Sequence, residues 1–128
     1  MLLQTKRIVG VMTAGAALFC AFAWLRASLP PSLDQSLLVN VPASLAPWAV
    51  PGLMVGTLIP RVGILVGAAL GFLTGAALAL GQNETLDHWA LRDVAVKGGW
   101  GILICGAAAW IGSLLRSKTS SNQRLERP

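Results

Sequence analysis

Acidic residues are nearly missing from this chain. Asp and Glu together number five among 128 residues, His occurs once, and all charged residues make up 12%. A water-soluble domain carries about 25% charged residues, so this composition excludes an ordinary soluble fold. The same scarcity thins out chemistry. Acid–base and metal sites draw on Asp, Glu, His and Cys, and the sequence holds no phosphate-binding glycine loop, no Cys-x-x-Cys pair and no Gly-x-Ser-x-Gly turn. No catalytic residue, metal or cofactor is expected. An enzyme is the least favoured class.

Cysteine is limited to Cys20 and Cys105, both inside apolar runs. There a thiol behaves as a small buried apolar group; a bridge between two helices is the alternative use. The formal charge of +5 comes from ten Lys and Arg scattered over the ends of apolar runs and a short tail. No basic stripe with interleaved aromatics forms, so nucleic acid is not an expected partner.

What the chain has is apolar length: 55% of its residues are hydrophobic. The first run, Ile8 to Leu25, follows Lys6 and Arg7 and ends at Arg26. As a helix it rises about 27 Å, close to the thickness of a bilayer core. Its basic start and the Ala21-Phe22-Ala23 triplet also fit a cleavable secretory signal. Continuation through Trp24 and Leu25 favours a retained span. Residues 26–42 then read as an external loop, because Pro30-Pro31 bars a helix across them. Within it Asp34, Gln35, Ser36 and Asn40 are polar, and Leu33, Leu37 and Leu38 suit one apolar face of a short surface helix.

From Ala43 to Gly81 only Pro60-Arg61 interrupts an apolar stretch that would reach nearly 60 Å as one helix. It must fold back, and Pro60-Arg61 is the corner, since Arg61 is costly at mid-membrane. The spans are therefore 43–59 and 62–81. Pro47 and Pro51 predict a kink or partial insertion in the first of these. Residues 82–97 predict a short amphipathic external helix capped by Asn83, with Leu86, Trp89, Ala90 and Val94 on one face and Glu84, Asp87, His88 and Arg92 away from it. Asn83-Glu84-Thr85 also matches the glycosylation acceptor, a frequent chance pattern. The last span is 98–115, and the basic tail 116–128 is expected to be disordered.

No Asp, Glu, Lys, Arg or His falls inside these four spans, which argues against proton- or ion-coupled transport. The few hydroxyls, on Thr13, Ser44, Thr57, Thr74 and Ser113, are expected to bond their own helices. Glu84, Asp87 and His88 are the weak candidates for a metal or acid–base cluster, with Glu84 and His88 one helical turn apart. A solvated external face is the expected role of these three.

Glycine recurs every fourth position at Gly63, Gly67, Gly71 and Gly75, followed by Ala79. Residues four apart share a helix face. In lipid, helices associate through close backbone approach, which small residues permit. Gly52 and Gly56 repeat the pattern, as do Gly101, Cys105, Ala109 and Ser113. These positions are the candidate helix-packing residues, against a neighbouring helix or another copy. Four crossings put Lys6, Arg7, Arg61, Arg116, Lys118, Arg124 and Arg127 on one side, and only Arg26, Arg92 and Lys97 on the other. That seven-to-three imbalance predicts both termini in the cytoplasm, in a cell membrane of the bacterial inner-membrane kind. Were 43–59 only re-entrant, three crossings would leave the basic tail outside.

The expected fold is one domain, 1–128: an all-α integral membrane protein, a compact bundle of four transmembrane helices with a short amphipathic external helix between the third and fourth. Its expected partners are the lipid bilayer and either a membrane protein or a second copy. Two functions suit it. One is a structural or accessory membrane component; the other is a homo-oligomeric pore or small transport-class protein, holin-like pores included.

Overall fold

The computed structural model describes residues 1–34 and 36–126. It contains α1 (Leu2–Ala27), the single-turn α2 (Pro31–Asp34), α3 (Leu37–Leu58), α4 (Gly63–Gln82) and α5 (His88–Leu125). Four of these, all but α2, are long and apolar enough to cross a membrane. The chain is thus an all-α, four-helix bundle consistent with a transmembrane protein. Gln35, Arg127 and Pro128, placed by sequence in the loop and the basic tail, lie outside the described residues.

The corner falls where sequence puts it, between Leu58 and Gly63. Four boundaries differ. The first helix starts at Leu2 rather than Ile8 and takes in Lys6 and Arg7. The third helix starts at Leu37 rather than Ala43, so Leu37 and Leu38 form its first turn instead of a separate surface helix. It runs through Pro42, Pro47 and Pro51. Each proline removes one i→i−4 bond, but an apolar surrounding offers the remaining backbone groups no better partner than the helix. The Ser44 hydroxyl also donates to the Asn40 carbonyl at 2.7 Å.

The other two differences lie in α5. No separate amphipathic helix stands between α4 and the last span. Residues 88–97 are the opening turns of α5, which is capped by Asp87 accepting from the Ala90 backbone N–H at 3.0 Å, while Asn83 sits at the end of α4. Gly98 and Gly99 suggest a break, yet the helix passes through them. The tail expected to be disordered continues the same helix as far as Leu125. It holds no proline before that residue, and extending an existing helix avoids the nucleation cost.

The fifth helix is the axis of the packing, lying along both α4 and α3; α1 rests on α3, touches α4 and does not reach α5 among the described residues. The largest side chains buried completely are Val55, Pro51 and Cys105. Large apolar side chains such as Leu65, Leu73, Trp100, Leu103 and Trp110 face outward. Small inside and large outside reverses the soluble pattern and suits a bundle solvated by lipid.

The small inner residues set an antiparallel register. Each four-residue step back along α4 matches a four-residue step forward along α5. A side chain on Gly75 would meet the Lys97 carbonyl, one on Gly71 the Gly101 carbonyl, and one on Gly67 the Ala109 methyl at 2.7 Å and the Cys105 carbonyl at 3.1 Å. Cys105 and Ala109 of this α5 stripe also face α3. There Gly52 lies against the Cys105 carbonyl, at 2.5 Å from where its Cβ would stand, and Gly56 lies against the Ala109 carbonyl. Gly63 faces Gly56 instead, at 3.1 Å by the same measure, closing the α3–α4 corner.

Candidate functional site: the two polar ends of the bundle

Polar chemistry is confined to the ends of the bundle. Within the spans, each hydroxyl donates to a carbonyl of its own helix: Thr13 to Val9, Ser44 to Asn40, Thr57 to Met54, Thr74 to Leu70 and Ser113 to Trp110. None of these bonds points across the bundle.

At one end, three arginines from three segments converge on the C-terminus of α3. A helix leaves its last four carbonyls without partners and carries partial negative charge there. Arg7 of α1 donates through Nη2 to the Leu58 carbonyl at 2.8 Å. Arg116 of α5 donates through Nη1 to the Thr57 carbonyl at 2.5 Å. Arg61 stands in the corner itself. All three line an opening of about 620 Å³ together with Leu3, Gln4, Leu58, Ile59 and Pro60. Lys6 and Lys118 are exposed on α1 and α5 close by in sequence. The sequence signals these cations only as orientation markers; which carbonyls they cap depends on helix rotation.

At the other end, α4 is clasped to α5. Asn83 Nδ2 donates to the Ala79 carbonyl at 2.6 Å and to Asp93 Oδ2 at 3.1 Å. Lys97 Nζ lies 2.7 Å from the same carboxylate oxygen and also bonds the Gln82 side-chain carbonyl. The Lys97 hydrogen bond holds the Asp93 carboxyl below its usual range of 3.8, against a smaller opposing effect of desolvation and with help from Asn83. The Arg92 guanidinium stands over the Trp89 ring, 5.8 Å from its centroid.

No family model, curated protein or solved structure matches this chain. The site residues therefore stand on geometry alone.

The cluster of Glu84, Asp87 and His88 does not form as spaced. Glu84 lies in the irregular connection before α5 rather than on a helix, so it is not one turn from His88. Asp87 is used as the cap, and His88 stands edge-on to Trp89 at 6.0 Å between centroids. Among the described residues no three His, Cys, Asp or Glu side chains gather. Cys20 is exposed on α1, Cys105 is buried, and both are free thiols, so the interhelical bridge is not made.

Two openings beside α1 complete the surface. Phe19 of α1 packs on Trp48 of α3 with ring centroids 5.8 Å apart. Next to them is a space of about 420 Å³ that reaches Arg26, Ser44 and Gln82. Below it, an open apolar groove of about 710 Å³ runs between α1 and α4, past Met12, Ala16, Cys20, Leu73 and Ala77.

Proposed function

We propose that this protein is a structural or accessory membrane component: a self-sealed bundle that packs through its small-residue faces, catalyses no reaction and works by association. The observation that carries the reading is the occupancy of the glycine face. Gly67, Gly71 and Gly75 all meet α5, and Gly63 meets α3. The surface best suited to pairing with another copy is therefore in use within the chain. What remains for a partner is α1, the least packed of the four long helices, whose Gly10, Ala14, Ala17 and Ala21 lie exposed. A membrane-protein partner can approach such a face closely. Both termini lie in the cytoplasm on this reading.

A homo-oligomeric pore is the second reading, favoured by that same exposed face of α1. Its weakness is the lack of a polar lining, since the hydroxyls of the spans bond their own backbones. Mass in mild detergent separates the two. The accessory reading expects Gly71→Leu to lower thermal stability with no change in oligomeric mass. A ring-sized assembly that Gly71→Leu breaks up, together with dye release from vesicles carrying the wild-type protein, overturns it in favour of the pore.

A further inference from the structure

We propose that the three-arginine opening at the α3–α4 corner binds the phosphate of an anionic membrane lipid, which bridges α1 to the rest of the bundle. The proposal rests on the reading that the four long helices span a bilayer, but not on the accessory role.

Arg7, Arg61 and Arg116 bring three cations to one opening, and among the described residues no carboxylate lines it. Glu84, Asp87 and Asp93 belong to the connection and helix at the opposite end of α4. Gathering like charges is unfavourable unless an anion joins them. Two of the three guanidiniums are already oriented, because Arg7 and Arg116 each give one donor to a carbonyl of the last turn of α3. A guanidinium has five donors in a planar fork that matches phosphate geometry, so both retain donors for a ligand. Arg61 makes no hydrogen bond found among the described residues.

The walls indicate a lipid rather than a free anion. Leu3, Leu58 and Ile59 share the opening with the arginines, so a ligand with apolar substance beside its phosphate fits better than a small ion. The opening also lies where the apolar runs end, the depth at which headgroup phosphates sit. Basic pockets between transmembrane helices take anionic headgroups in this way. The consequence is mechanical. Among the described residues the backbone of α1 does not come up against that of α5, and a phosphate between Arg7 and Arg116 links the two at this end.

The experiment uses the full chain in a neutral detergent, titrated with phosphatidylglycerol, with phosphatidylcholine of the same acyl chains, or with inorganic phosphate. Thermal unfolding and native mass spectrometry are the readouts. Phosphatidylglycerol is expected to raise the unfolding midpoint and leave a retained adduct; the other two are not. Arg61→Gln removes one charge without breaking either carbonyl bond. It should keep the midpoint seen in phosphatidylcholine and weaken phosphatidylglycerol binding about ten-fold, the loss of one charge-assisted contact. Arg124→Gln, away from the opening, should bind as wild type. An equal shift with phosphatidylcholine overturns the proposal, as does an equal shift with inorganic phosphate or equal weakening by Arg124→Gln. None of these failures alters the oligomeric mass, so the accessory reading is judged separately.

Discussion

At the scale of single residues, the glycines divide into two kinds that composition does not distinguish. A methyl on Gly71 would run into the Gly101 carbonyl, a backbone atom that cannot step aside, whereas at Gly10 and Gly99 nothing lies within 4 Å. Gly71→Ala should therefore destabilise by about 1–3 kcal/mol, the usual range for overpacking. Gly99→Ala should be neutral or stabilising by up to about 1 kcal/mol, because it removes glycine's helix penalty. Unfolding in detergent measures both; equal effects would mean that α4 and α5 do not touch. Leu70, next to Gly71, is only 3% exposed and belongs to the core with Val11, Val66 and Cys105, so truncating it also removes packing. Leu65, at 73% exposed, is the proper lipid-facing control. Asp93 supplies a pH dependence. Its folded pKa lies below the usual carboxylate value, so its stabilising contribution is complete above about 3.8 and disappears as pH falls through the lower folded value. The gap in unfolding midpoint between wild type and Asp93→Asn should be constant near neutrality and close in that acid range. A gap that widens on acidification would reverse the sign.

At the scale of elements, existence was legible and extent was not. The apolar runs locate all four long helices, because length and hydrophobicity are properties of sequence alone. Their ends depend on context. Pro47 and Pro51 argue for a kink or partial insertion in α3, a propensity that tertiary packing overrides, and the polar segment 82–97 argues for a separate helix, whereas its residues 88–97 open α5. The glycine register was legible as a face but not as a pairing. Periodicity shows that Gly67 and Gly71 share a side of α4, and only the fold supplies Cys105, Ala109 and Gly101 opposite them. The difference between α1 and α5 is a structural finding with a direct check. Cys20 lies on an exposed flank of α1, while Cys105 is 1% exposed in the seam of α3, α4 and α5. In mild detergent a maleimide should modify Cys20 in the native protein and Cys105 only after unfolding, as intact mass would record. Modification of both at one rate would mean that α5 is not the packed centre of the bundle.

For the whole molecule, the decisive property is that its two ends differ. Arg7 and Arg116 both bond the last turn of α3, so the start of α1, the α3–α4 corner and the later part of α5 share one end. The acidic connection between α4 and α5 lies at the other. This is the arrangement that an even number of crossings requires. The re-entrant alternative for 43–59 needed a short or broken α3, whereas α3 is a continuous helix of 22 residues, about 33 Å long and sufficient for a bilayer core. Of the nine basic residues among those described, six belong to the end that holds Arg61, and by the charge rule that excess predicts a cytoplasmic side for it. Single cysteines in a background with Cys20 and Cys105 replaced test both statements. One at Pro60 leaves Arg61 in place and should react with a membrane-impermeant reagent only from the cytoplasmic side. One at Leu86, exposed in the α4–α5 connection, should react only from outside. A reporter fused to the C-terminus should agree with the cysteine at Pro60. If the reporter and that cysteine fall on opposite sides, α5 does not cross and the bundle lies differently in the bilayer. If they agree but face outward, the crossings stand and the charge rule has given the wrong direction. If the cysteine at Pro60 is protected from both sides, the corner lies within the membrane, where Arg61 would need a partner that the described residues do not supply.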